Sequence, residues 1–166
     1  MIVDHSQLAE LLAFWTSHGD HEGLPRRSAF TAEALKPWLG NVGILDVERS
    51  PLRFRIRLAG THIVRYFGRD CSGLYLDEVV PATDCDGVLG IYFRCIACRT
   101  PQFDATYSHV KGIAGYLVRR LALPVTLAGD GVEQIIVGFY AEAMNPAAKD
   151  WRPDARNIAR TILQRA

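Results

Sequence analysis

The apolar positions of the chain change period several times, and each change marks an element. Leu8, Leu11, Leu12 and Trp15 recur at i, i+3, i+4 and i+7, the stripe of an amphipathic helix. The spacing predicts a helix over 4–19, opened by the D-x-x-Q pattern of Asp4 and Gln7 and stopped by Gly19. After a Pro- and Arg-containing linker over 23–30, a short helix is expected over 31–38, with Leu35, Trp38 and Leu39 as its buried edge. Val42, Ile44 (or Leu45) and Val47 read as a first strand, and Ser50-Pro51 as the turn of a hairpin. From Leu52 the period is two. Leu52, Phe54, Ile56 and Leu58 share one face, and Arg53, Arg55 and Arg57 the other, because successive side chains leave opposite sides of the pleat. A one-residue slip would turn the arginines into the core, so the register is fixed.

At Ala59-Gly60-Thr61 the period lengthens again. Ile63, Val64 and Phe67 predict a short helix closed by Gly68, followed by a loop over 69–73. Leu74, Leu76, Val79 and Val80 form a further apolar segment ending at Pro81, and a long helix follows over about 84–98, with Val88, Leu89, Tyr92, Cys95 and Ile96 on one face. A third strand sets Phe103, Ala105, Tyr107 and His109 against Gln102, Asp104, Thr106 and Ser108. Strands over 116–126 and 133–141 are joined at Gly129-Asp130-Gly131, a hairpin signal. Residues 145–150 are a linker, and Trp151-Arg152-Pro153 opens a last helix in which Arg152 to Arg165 supply basic residues. The chain thus divides into an N-terminal amphipathic helix over 1–23, a domain over 24–142, and a linker with a C-terminal helix over 143–166.

The order of elements and several local motifs resemble the PAS fold. The motifs are Pro25-Arg26, Leu35 with Trp38-Leu39, Arg57-Leu58-Ala59-Gly60-Thr61, Phe67-Gly68-Arg69-Asp70 with Ser72-Gly73, Leu123-Pro124, and Gly129-Asp130-Gly131. Together, over 24–142, they are similar to a bacterial family of small stand-alone PAS-like proteins. The resemblance implies an α+β fold: a PAS-like five-stranded antiparallel sheet with helices on one face, plus N- and C-terminal flanking helices. It also implies a sensory or protein-interaction module rather than an enzyme, and it leaves the ligand and any cofactor unknown. The Asn-Cys-Arg-Phe-Leu-Gln run of flavin-binding PAS domains is absent, the long helix carries no histidine for haem, and Cys95-x-x-Cys98 is followed by Arg99 rather than the histidine of a c-type haem site.

Composition narrows the field further. The chain has 166 residues, 49% of them hydrophobic and 22% charged, enough for one domain with a sizeable core. A net charge of +1 gives no global reason for a nucleic-acid or membrane partner. No uncharged run approaches a membrane span, and no secretory signal is visible at the N-terminus, so a cytoplasmic location is expected. Cys71, Cys85, Cys95 and Cys98 are read as free, buried thiols rather than disulfides. His5, His18 and His21 lack the spacing of a metal site.

A pocket between sheet and helices is expected to use Tyr92, Cys95, Tyr107, His109 and Arg119. Arg119 lies between Leu117 and Leu121 on what reads as the core face of its strand, where an inward guanidinium needs a partner. Leu8, Leu11, Leu12 and Trp15 are expected to contact a second copy, giving a homodimer. The reading is thus a non-enzymatic sensor or adaptor with a possible small-molecule ligand and a protein partner. Two alternatives remain. One is a small-molecule-converting enzyme on a cone-like α+β scaffold with His109 and Tyr107 as acid–base pair, and the other a nucleic-acid-binding regulator acting through the basic C-terminal helix.

Overall fold

A computed structural model describes residues 1–19, 23–108 and 115–143. The C-terminal helix, the linker before it and His109 lie outside these residues. The first helix, α1 (Ser6–Ser17), lies within the expected 4–19 but is shorter at both ends and lacks the expected cap. His5 occupies the N-cap without a side-chain bond, because Asp4 is drawn instead to Arg119, 3.1 Å away. The helix expected over 31–38 is a 3-10 turn at Lys36–Asn41, entered at Pro37. A proline has no amide to donate and disfavours helical backbone at the residue before it, so helix cannot run through Pro37 from position 31.

Strands β1 (Val42–Arg49) and β2 (Leu52–Ala59) form the hairpin, with a bulge at Ile44/Leu45 that leaves Arg57 without an opposite number. On β2, Phe54 and Ile56 are buried, whereas Leu52 and Leu58 at its two ends are exposed. The arginines of the opposite face are each ion-paired: Arg53 with Asp77 at 2.8 Å, Arg55 with Glu48 at 2.9 Å and Arg57 with Asp46 at 3.2 Å. The basic stripe of the sequence is therefore neutralised in place.

Gly60 connects β2 to α2 (Thr61–Phe67), and a Cβ there would lie 2.5 Å from the Leu39 and Gly40 carbonyl oxygens. Only glycine allows the chain to cross the 3-10 turn this closely. Gly68 ends α2 in the left-handed conformation at φ 72°. Two further helices follow, α3 (Leu76–Val79) and α4 (Ala82–Cys98). The chain then returns through β3 (Gln102–Ser108), β4 (Tyr116–Val125) and β5 (Gln134–Ala143).

The strands form one antiparallel sheet in the order β2-β1-β5-β4-β3. Both of its faces are covered. Helices α2 to α4 lie on one face, over a core that includes Phe54, Ile91, Tyr92, Cys95 and Ile135. Helix α1 folds back over the other, where Leu8 and Leu11 pack with Leu121, Leu123 and Ile136. Trp15 Nε1 donates to the Pro124 carbonyl at 2.9 Å and ties the helix end to β4.

Leu8 and Leu11, expected at a contact with a second copy, are wholly buried within their own chain. The apolar stripe correctly signals a face that must be covered, but periodicity does not say by what. All four cysteines are unpaired; Cys71 and Cys95 are buried, while Cys98 is exposed. Among the described residues, no helix is long and apolar enough to cross a membrane.

The β4–β5 turn is organised by one carboxylate. Glu133 Oε2 accepts hydrogen bonds from the Leu127, Ala128 and Gly129 amides and from Thr126 Oγ1. Bonds to the charged form hold the Glu133 carboxyl down at about 2, from an ordinary 4.5. Because the folded value is the lower one, these bonds stabilise the turn above pH 4.5 and are lost as pH falls toward about 2. Amide chemical shifts of residues 127–129, followed by NMR, are expected to titrate with a midpoint near 2. A midpoint near 4.5 would show that the carboxylate does not cap the turn.

Candidate functional site

The two strand faces differ in character. On the α1 side, β3 and β4 present Phe103, Leu121 and Leu123, and on the other they present Asp104, Thr106, Ser108, Val118 and Arg120. The second face is covered by α2, α3 and α4, and between them lies a partly open cavity of about 480 Å³. The walls are mostly apolar: Leu45 and Ile56 from the hairpin, Ile63 and Phe67 from α2, Val79 and Val80 at α3, and Val88 from α4. A space of this size, apolar with a few converging polar groups, has the character of a small-molecule site.

The polar groups gather at the β3–β4 side. Asp104 and Arg120 are direct partners across the ladder. Arg120 Nε donates to Asp104 Oδ1 at 3.0 Å and Nη2 to Oδ2 at 2.7 Å, a two-pronged pair, and Nη2 also donates to Thr106 Oγ1 at 3.2 Å. Only 4% of the Arg120 side chain is exposed. Burial works against its charge, but Tyr92 and Asp104 outweigh that effect and raise the guanidinium's value. Burial pushes the Asp104 carboxyl up, and Arg120 opposes the rise. The bidentate geometry is that of an ion pair.

Tyr92, on α4, is held neutral by burial, which pushes its phenol up to about 12. Burial likewise raises the Tyr66 phenol, and its hydrogen bond with the Ser108 side chain opposes this. Arg69 and Asp84, of opposite sign, also line the cavity.

Of the residues expected at the pocket, Tyr92 lines it. Cys95, one helical turn on, is buried in the adjoining core, its Sγ 3.7 Å from the Ala122 carbonyl and its thiol pushed up to about 12 by burial. Tyr107 lies on the other strand face and is exposed. Arg119 does not enter the cavity. It pairs with Asp4 and with Glu142, each at 3.1 Å, on the α1 side of the sheet. Arg120 takes the inward place.

The reason for this inversion is physical. Alternation separates two faces but does not name them: the apolar face of β4 reads as the pocket side, yet it packs with α1. A cavity wall can carry polar side chains, and in a sequence those look like a solvent face. The missed residues are Tyr66, Asp104, Thr106, Ser108 and Arg120. One signal for them is the Arg119-Arg120 pair itself: consecutive strand residues face opposite ways, so one arginine had to point toward the helices.

Comparison with known proteins bears on this architecture. A family profile described as "PAS domain" matches residues 3–86, about half of the chain. Among solved structures, the PAS domain of Bordetella pertussis BvgS aligns with a TM-score of 0.50 at 16% identity, covering 80% of this chain and 93% of that one. A LOV protein of Rhodobacter sphaeroides aligns with a TM-score of 0.49 at 10% identity, over 89% of this chain and 73% of that one. A sensory box sensor histidine kinase from Vibrio cholerae gives 0.48 at 12% identity, over 69% and 90%. No curated protein matches the chain at a significant level. The profile match, with the β2-β1-β5-β4-β3 sheet and the helices over its cavity face, makes the chain a member of the PAS-domain family.

Proposed function

We propose that the protein is a sensory or signalling module that responds to a small molecule held between the sheet and helices α2 to α4. The observation that carries this reading is the cavity of about 480 Å³, apolar over most of its wall but lined by the buried guanidinium of Arg120. A buried ion pair is costly in an ordinary core, where apolar side chains of similar volume serve as well or better. At a cavity wall it supplies orientation to a ligand. No enzyme step is proposed: Asp104 is engaged by Arg120, and Tyr107 faces away from the cavity. The output of such a module is a contact with a protein, a second copy of the chain included.

Native mass spectrometry of the purified full chain, compared with its denatured mass, tests the reading and reports the oligomeric state in the same measurement. A native mass exceeding the denatured one by a discrete small molecule is expected. Val88→Trp, which projects a large ring into the cavity from α4, is expected to abolish that increment at a stability cost within about 1–3 kcal/mol. An increment that survives in Val88→Trp places the ligand elsewhere.

A further inference from the structure

The charges around the cavity are already balanced, and that restricts what it can hold. Arg120 is the deeply buried cation of the wall, and both of its donors on one edge are taken by Asp104. The shared Nη2 also reaches Thr106 Oγ1. A ligand carboxylate entering here would bring a second anion to one guanidinium. Asp104 already supplies that guanidinium's counter-charge, so an anion reaching the donors that Asp104 and Thr106 leave on it would have no counter-charge of its own in a largely apolar site. A ligand ammonium would meet the Arg120 charge at close range, and the Asp104 carboxylate that could receive it is already neutralised by that guanidinium. At the cavity's edge, Arg69 and Asp84 oppose each other in sign and add no net preference.

The remaining polar groups are hydroxyls: Tyr66, Tyr92, Thr106 and Ser108. A hydroxyl both donates and accepts, so a group of them suits a neutral head that does the same. We infer that the cavity selects an uncharged amphipathic molecule, with its apolar body against Leu45, Ile56 and Val118 and its alcohol, amide or carbonyl head at the hydroxyl groups beside the Arg120–Asp104 pair. This rests on the reading of the cavity as a ligand site and adds the chemical class of its occupant.

Three probes of ten carbons each isolate the head group: decanol, decanoate and decylammonium, titrated calorimetrically into the delipidated full chain below their self-association concentrations. Decanol is expected to bind, and each ion at least about tenfold more weakly. In Asp104→Asn the neutralising charge is gone while the side-chain shape remains, so decanoate is expected to gain at least about tenfold over its wild-type affinity. Should that variant fail to fold, the wild-type ranking still decides. Either ion binding wild type as tightly as decanol overturns the inference and leaves the cavity reading standing. Absence of binding by all three, or decanol binding that persists in Val88→Trp, overturns both.

Discussion

Leu8→Ala is expected to destabilise the protein by about 2–5 kcal/mol, as a large-to-small change in a core that cannot fully collapse. Leu8 is wholly buried, although the sequence places it on a helix outside the central domain. It lies over Gly138 on β5, where a Cβ would stand 2.5 Å from Leu8 Cδ2 and 2.9 Å from Leu11 Cδ2. Gly138→Ala should therefore also destabilise, by about 1–3 kcal/mol from overpacking. The two changes should not add. Truncating Leu8 removes the nearer of the two atoms that the new methyl would strike, so the double variant should be more stable than the sum of the single effects predicts. Urea denaturation of the wild type, both single variants and the double variant measures this. Additive losses would mean that α1 does not rest on β5 in solution. The same packing means that removing residues 1–19 should unfold the sheet's α1 face rather than merely separate two copies.

How far the sequence could foretell this architecture depends on what each pattern encodes. The alternation of β2 was informative at the centre of the strand, where Phe54 and Ile56 are buried and the arginines find partners outside the core, but not at its ends, where Leu52 and Leu58 are exposed. The α2 helix and its Gly68 stop were legible for a local reason: a left-handed residue that ends a helix favours glycine. Long-range competition was not legible. Asp4 has the right spacing to cap α1, yet it sits beside Arg119, a residue 115 positions away in the chain. The cavity was hidden for a related reason. Asp104, Thr106 and Ser108 alternate as a solvent-facing strand would, and nothing local tells a cavity wall from a surface. Their partner Arg120 stands next to an arginine that does reach the exterior, so the site depended on a choice of parity that hydrophobicity decided wrongly. Phe103, Leu121 and Leu123 are the more apolar set, and they pack with the helix that seals the sheet rather than lining the cavity.

The Arg120–Asp104 pair should show the second large effect, and its two halves should differ. Asp104→Leu leaves a buried guanidinium with no anion to answer it, and this group cannot escape by losing its proton. A loss of about 3–5 kcal/mol is expected. Arg120→Met leaves a buried carboxyl instead, and a carboxyl can take up a proton. Burial already pushes Asp104 upward, and the opposing guanidinium would be gone. The folded variant then binds this proton more tightly than the unfolded chain does, so its stability should be greatest at low pH. It should decline as pH rises from about 4, the unfolded value, through the raised folded value. The wild type, in which Arg120 opposes the rise of Asp104, should show a smaller decline. With both residues replaced, Arg120→Met and Asp104→Leu together, no charge is left stranded, and stability should return to the wild-type level or exceed it by about 1–4 kcal/mol. Thermal or urea unfolding of the four proteins across pH distinguishes these outcomes; equal, pH-independent losses in the two single variants would show that the pair does not act as a buried ion pair. If the double variant is as stable as expected, the pair is not retained for stability, and its place on the cavity wall is left as the reason for keeping two charges inside the protein.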